Sequence, residues 1–135
     1  MLGDKIDELT AKVTGTRVIA IEGGAVKVEL SIAGHGKVLG TDVAELATYH
    51  SVMTPSGVMN GEGQGLIMSK DGDSLTWTGH GVGKPTGTGL ASSWRYSIVM
   101  RTTSSKWARL NGVLGIGEWE LDDAGNGRGQ IWEWK

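Results

Sequence analysis

Gly61-Glu62-Gly63-Gln64-Gly65 and, further along, Gly79-His80-Gly81-Val82-Gly83 decide the fold. Side chains alternate faces along a strand, so glycine at every second position strips one face bare. A helix would scatter the same glycines around its circumference. Gly34 and Gly36, Gly87 and Gly89, Gly115 and Gly117, and Gly125, Gly127 and Gly129 repeat the spacing. Glycine within a strand marks a bend, a bulge or a close backbone approach. Many bare stripes together point to strongly coiled strands that close into a small barrel.

Working outward, turn signals divide the chain. They are Gly23-Gly24, Gly40-Thr41-Asp42, Pro55-Ser56-Gly57, Lys70 to Asp73, Pro85 to Gly89, Ser104 to Asn111 and Asp122 to Gly127. Glycine, proline, asparagine and aspartate each supply turn geometry. The segments between them predict strands over 11–22, 25–39, 42–54, 58–69, 74–84, 90–103, 112–121 and 128–134. Even spacing and short connections favour an antiparallel meander. The expectation is an all-β chain, a closed eight-stranded antiparallel up-and-down β-barrel in a single domain over 1–135. Residues 1–10 are expected as a short helical turn or a disordered end.

Parity then predicts facing. Val26, Val28, Leu30 and Ile32 share a face with Gly34 and Gly36. Leu75 and Trp77 share one with Gly79, Gly81 and Gly83. Met59 and Ile67 flank Gly61, Gly63 and Gly65. In each case the glycines lie on the apolar face, which is read as the interior. Trp94, Tyr96, Ile98 and Met100 then point in, with Arg95 and Arg101 out. Glu62 and His80 face outward.

Composition narrows the function classes. The chain has 135 residues, a formal net charge of -2 and no cysteine. Disulfides, thiol catalysis and cysteine–zinc sites are thereby excluded. Lysines and arginines are dispersed, so nucleic acid is not an expected partner. No apolar run reaches membrane-spanning length, and no apolar h-region follows Met1, so a cytoplasmic protein is expected. Gly61 to Gly65 is not a phosphate loop, because neither a Lys-Ser/Thr pair nor a helix follows it. The three histidines, His35, His50 and His80, lack ligand spacing, so no metal is expected, and no cofactor motif is present.

The closing segment Leu110-Asn111-Gly112-Val113-Leu114-Gly115-Ile116-Gly117-Glu118-Trp119-Glu120, taken with the glycine-alternating strands, resembles the allene oxide cyclase-like barrel superfamily. Its bacterial members carry a similar run of leucine, glycine, glycine-x-glycine and an aromatic residue. The resemblance implies an eight-stranded antiparallel barrel that often forms a homo-oligomer. It does not imply the cyclase reaction, and it assigns no site residue.

Candidate site residues come from parity. Arg17 shares its parity with Val13, Gly15, Ile19 and Ile21, which would point it inward. Glu45 is the charged residue among Val43, Tyr49 and Met53. A buried arginine needs a partner, so an Arg17–Glu45 pair would either plug the barrel or orient a polar ligand group, such as an anionic head gripped by the guanidinium. Trp77, Trp94, Tyr96 and Tyr49 form either core packing or a wall for a ligand. Glu62 becomes a candidate general base only if the facing is inverted. Three functions follow: binding of a small hydrophobic or amphipathic molecule inside the barrel, isomerase or cyclase chemistry there, or a filled barrel serving structure and oligomerisation. Val82, Val99, Leu114 and Ile116 on outer faces favour self-association.

Overall fold

The computed structural model describes residues 1–135. Eight antiparallel strands close into one barrel in simple chain order, with the first strand paired to the last. They are β1 (Leu2–Glu22), β2 (Ala25–Val38), β3 (Thr41–Met53), β4 (Met59–Ser69), β5 (Ser74–Pro85), β6 (Ser92–Arg101), β7 (Leu114–Leu121) and β8 (Asn126–Trp134). From β2 to β8 the bounds lie within two residues of those read from turn signals.

The start of the chain departs from expectation. Residues 2–10 are neither helical nor disordered but the first half of β1, which supplies the seam with β8: Leu9 pairs with Gly129 and Ala11 with Gly127. The charged cluster Asp4, Lys5, Asp7 and Glu8 hides this strand from a local reading. Pairing on both sides overrides that weak local preference. The structure's helix lies elsewhere. Ser105–Gly112, expected as a turn, is a 3-10 helix between β6 and β7. Asn111 holds it, donating to the carbonyls of Thr102 and Ala108 and accepting from the Thr102 N–H. Its spacing of three places Trp107 and Leu110 on one side, and both are wholly buried. They cap one end of the barrel. The helix is not long and apolar enough to cross a membrane.

Turn chemistry follows the sequence. Gly23 and Gly24 both take positive φ, as does the Leu39–Gly40 pair. Two-residue hairpins twisted to match their strands need that geometry.

The interior holds two packed layers. The lower one joins Ile6, Ile67, Leu75, Ile98, Trp107 and Leu110. The upper one joins Leu30, Ile32, Ala47, Met59, Trp94 and Trp119. Trp77 and Tyr96 pack against both. The glycine stripes line this interior as parity predicts, and Glu62 and His80 lie outside, 3.4 Å apart. Most of the stripes receive rings from the adjacent strand, and the Trp94 ring of β6 also reaches past β5 to Gly61 on β4. Trp77 covers Gly65, its ladder partner, and Trp94 covers Gly83. Tyr96 covers Gly81 and Gly117, and Trp119 lies over Gly127 and Gly129. Directly opposed residues sit only about 4.5–5.5 Å apart. A bare partner is what lets an indole lie flat against the wall.

Candidate functional site

The barrel interior is not filled throughout. Between the two layers lies a chamber of about 80 Å³, walled by Glu45, Tyr49, Trp77, Trp94, Tyr96 and Trp119 among others. Above it, at the end opposite the cap helix, opens an apolar mouth of about 270 Å³. Val28, Leu30, Met53, Met59 and the β5–β6 loop residue Leu90 form its sides. Tyr49 and Trp94 belong to both spaces. Their rings meet edge to face, with centroids 5.9 Å apart. They form the constriction between mouth and chamber.

Five of the six residues singled out from sequence therefore meet at one place. Glu45 comes from β3 and is buried. Its carboxylate accepts a 3.2 Å hydrogen bond from the Trp77 indole N–H. Tyr49 stands four residues further along the same face of β3. Trp94 and Tyr96 follow on β6, and the Trp94 N–H donates to the Ser92 hydroxyl.

Arg17 does not join them, which corrects the inward assignment. A bulge between Val13 and Gly15 inserts one residue into β1, and the side chains after it, through Val18, change face. Val13 faces in, but Arg17 faces out, largely exposed, 3.2 Å from Glu29 on β2. His50 contacts the same Glu29 carboxylate at 3.3 Å. No arginine–glutamate pair plugs the barrel, and no interior guanidinium is available for an anionic head.

A second carboxylate takes part that parity did not single out. Asp7 is buried in unbroken register with Leu9 and Ala11, while a bulge between Lys5 and Asp7 sets it apart from the exposed charges before it. A signal was present: Asp7, Leu9, Ala11 and Val13 share one parity. Burial pushes the Asp7 carboxyl up to about 7, aided by the Glu8 charge. Burial, followed by the Asp7 charge, pushes Glu45 up to about 8 against the opposing Trp77 hydrogen bond. Both are stabilised in the protonated form, as desolvation of acids requires. Burial, then the Asp7, Glu45 and Glu118 charges, also raises Tyr96. The interior thus holds two neighbouring carboxyls, Glu45 on the chamber wall and Asp7 beside it, both favoured in the protonated form.

Two polar atoms in the chamber wall lack partners. They are the Tyr49 hydroxyl and the Trp119 indole nitrogen. Burial pushes the Tyr49 phenol up to about 12, and the neighbouring Trp119 N–H opposes the rise. The two groups are close, yet they make no hydrogen bond of acceptable geometry. Trp119 was quoted from sequence only within a motif; its parity with Gly115 and Gly117 was the signal that placed it inside. The Trp107 N–H is also unpartnered, but it lies in the capped layer below.

No family model matches the chain, and no curated protein sequence matches it. Solved structures do. A protein of unknown function from Clostridium acetobutylicum ATCC 824 superposes with a TM-score of 0.83 at 13% identity, covering 98% of each chain. A β-barrel-like protein from Acinetobacter baumannii AYE gives 0.82 at 11% identity, over 98% of this chain and 94% of that one. An enzyme from Penicillium herquei gives 0.68 at 15% identity, over 98% and 96%. None of the three is described as an allene oxide cyclase. Likeness at such identity concerns the fold alone, and by fold the chain stands among small closed β-barrels.

Proposed function

We propose that the barrel binds one small hydrophobic or amphipathic molecule, its polar end in the chamber and its apolar part in the mouth. The observation that carries this reading is the shared wall. Tyr49 and Trp94 wall both spaces, which are mainly apolar, and Glu45 sets a carboxyl on the wall of the inner one. Barrel mouths commonly serve as such sites. Size refines the reading. A chamber of about 80 Å³ is smaller than the roughly 150 Å³ that admits a benzene ring. It suits a head group, with the tail left in the mouth. A solidly filled barrel would have neither space.

Charge refines it further. With no interior cation to pair with it, an anionic head is desolvated without compensation. Titrating tryptophan fluorescence with an alkyl acid, an alcohol and an amine of matched length tests both points. The acid is expected to bind most weakly. No response to any of the three would remove the binding reading, and tightest binding of the acid would remove the charge argument.

A second reading, an isomerase, rests on Glu45. A buried carboxyl with a pKa near 8 on a chamber wall is suited to taking and returning a proton near neutral pH. The fold likeness to a fungal enzyme is compatible with it. Glu45 would remove a proton from carbon next to a carbonyl and return it at another carbon, with no net oxidation. Deuterium from heavy water should then enter a bound ketone, and Glu45→Gln should abolish the uptake. Uptake at the uncatalysed rate in the native protein leaves binding as the function.

A further inference from the structure

The unpartnered donors in the chamber name a ligand chemistry, and this inference rests on the binding reading above. An indole N–H can only donate. The Trp119 ring is about 6% exposed and belongs to the chamber wall, and its N–H, enclosed within that wall, has no acceptor. The Tyr49 hydroxyl beside it is equally orphaned. A buried donor left unmade costs about 1–3 kcal/mol. The Tyr49 oxygen beside the Trp119 N–H is not in hydrogen-bonding geometry, so a small shift of either ring would turn both donors to one outside acceptor. Glu45 cannot serve both, since its charged form is disfavoured and Trp77 already donates to it.

We infer that the chamber is a subsite for the oxygen of an uncharged carbonyl compound, held by Tyr49 O–H and Trp119 N–H. A ketone or aldehyde oxygen accepts two hydrogen bonds and carries no charge to desolvate. A carboxylate oxygen accepts equally well but brings a charge that no interior cation offsets. An ammonium group only donates, so it leaves both orphans unanswered. The slender end of a methyl ketone matches the chamber's volume, and its chain matches the mouth.

The experiment uses 2-decanone labelled with carbon-13 at the carbonyl, with decane as its partner lacking the oxygen. Affinity is measured by displacement of a fluorescent apolar dye, and the carbonyl stretch of the bound ketone by infrared difference spectroscopy. The ketone is expected to bind at least tenfold more tightly than decane. Its carbonyl band should fall below the position it takes in a hydrocarbon solvent. Tyr49→Phe and Trp119→Phe each keep an aromatic ring and remove one donor. Each should move the band part of the way back and lower the ratio of ketone to decane affinity measured on the same variant. Equal affinity for ketone and decane, or a band that neither substitution moves, overturns the subsite and leaves the binding reading standing. Failure of both compounds to bind the native protein overturns the two together. If Trp119→Phe does not fold, Tyr49→Phe carries the test alone.

A different observation carries a second inference. β1 outruns the barrel. Its pairing with β8 ends at Lys12–Asn126, while its pairing with β2 continues to Glu22–Ala25. Residues 14–22 therefore have a neighbour on one side only. Such an edge is a template for another strand. Val18, Ile19 and Ile21 along it are exposed. A second bulge, between Val18 and Ala20, puts Arg17 and Glu22 on one face and Val18 and Ile21 on the other. An antiparallel two-fold pairing of this edge with itself sets Arg17 against Glu22 and Val18 against Ile21 on matching faces. Opposite charges and apolar pairs opposed across strands stabilise a sheet.

The geometry points to a second copy of this chain as the occupant of the β1 edge. Sedimentation equilibrium should show a dimer in the micromolar range. Arg17→Glu should dissociate it at least tenfold, and adding Glu22→Arg should restore it, although the Arg17–Glu29 contact stays broken. A monomer throughout the range, or a dimer indifferent to both charges, overturns the pairing.

Discussion

The Glu45 proton alone is expected to lower folding stability by about 4 kcal/mol as pH rises from 4.5 to 8, and Glu45→Gln is expected to remove that part of the fall. The folded protein holds the Glu45 proton up to about pH 8, whereas its ordinary value is 4.5; each pH unit of that difference is worth about 1.4 kcal/mol. Between the two values the folded state binds more protons than the unfolded chain, so stability declines with rising pH. Asp7, held up to about 7 from 3.8, acts in the same direction. Asp42, Asp73 and Asp122 are instead held below their ordinary values by hydrogen bonds, and the Glu29 carboxyl is held down chiefly by His50. Their contributions are lost only as pH falls below the ordinary carboxylate range, outside this window. Glutamine keeps the side-chain size and can still accept from Trp77. The variant should thus be more stable than the native protein at pH 8 and similar at pH 4.5. Urea unfolding across the pH range checks this. Native stability that stays flat or rises from pH 5 to 8 contradicts the buried acid pair.

Trp107→Ala should cost about 3–5 kcal/mol, the range for truncating a buried aromatic residue. Against a usual total of about 5–15 kcal/mol, that leaves a marginal barrel. Trp107 is 0% exposed and packs the lower layer with Ile6, Ile67 and Leu110. The same urea experiment separates volume from polarity. Trp107→Phe should cost much less than alanine, because the lost indole N–H has no partner to leave behind. A phenylalanine variant as unstable as the alanine variant would mean that the N–H matters more than the ring volume.

The architecture was legible because glycine and turn residues act locally. Gly61, Gly63 and Gly65 report facing without any tertiary knowledge, and Glu45, Tyr49, Trp77, Trp94 and Tyr96 follow by counting in twos. Arg17 was misread because counting in twos fails at one inserted residue. Nothing about Thr14 announces a bulge in advance; the extra residue is absorbed where β1 meets β2, and its Oγ1 bonds the Ser31 carbonyl. Asp7 was lost among Lys5 and Glu8, which look like one solvated face until the register against β8 separates them. The cap helix was lost because eight residues of 3-10 structure carry too little periodicity to stand out from a turn.

The seam between β1 and β8 has a consequence for how the molecule comes to exist. Each other strand pairs with its immediate successor through a short connection, so those ladders can grow hairpin by hairpin. Leu9 meets Gly129 and Ala11 meets Gly127 only after nearly the whole chain between them has been made and curled. Contacts of such long sequence separation slow folding, because loop closure precedes their reward. During synthesis the first strand emitted by the ribosome waits for the eighth. Until it arrives, β1 and β7 both offer open edges to neighbouring chains, and intermediates with unpaired edges are prone to aggregate. Yield in cells should therefore depend on how quickly the final ladder zips.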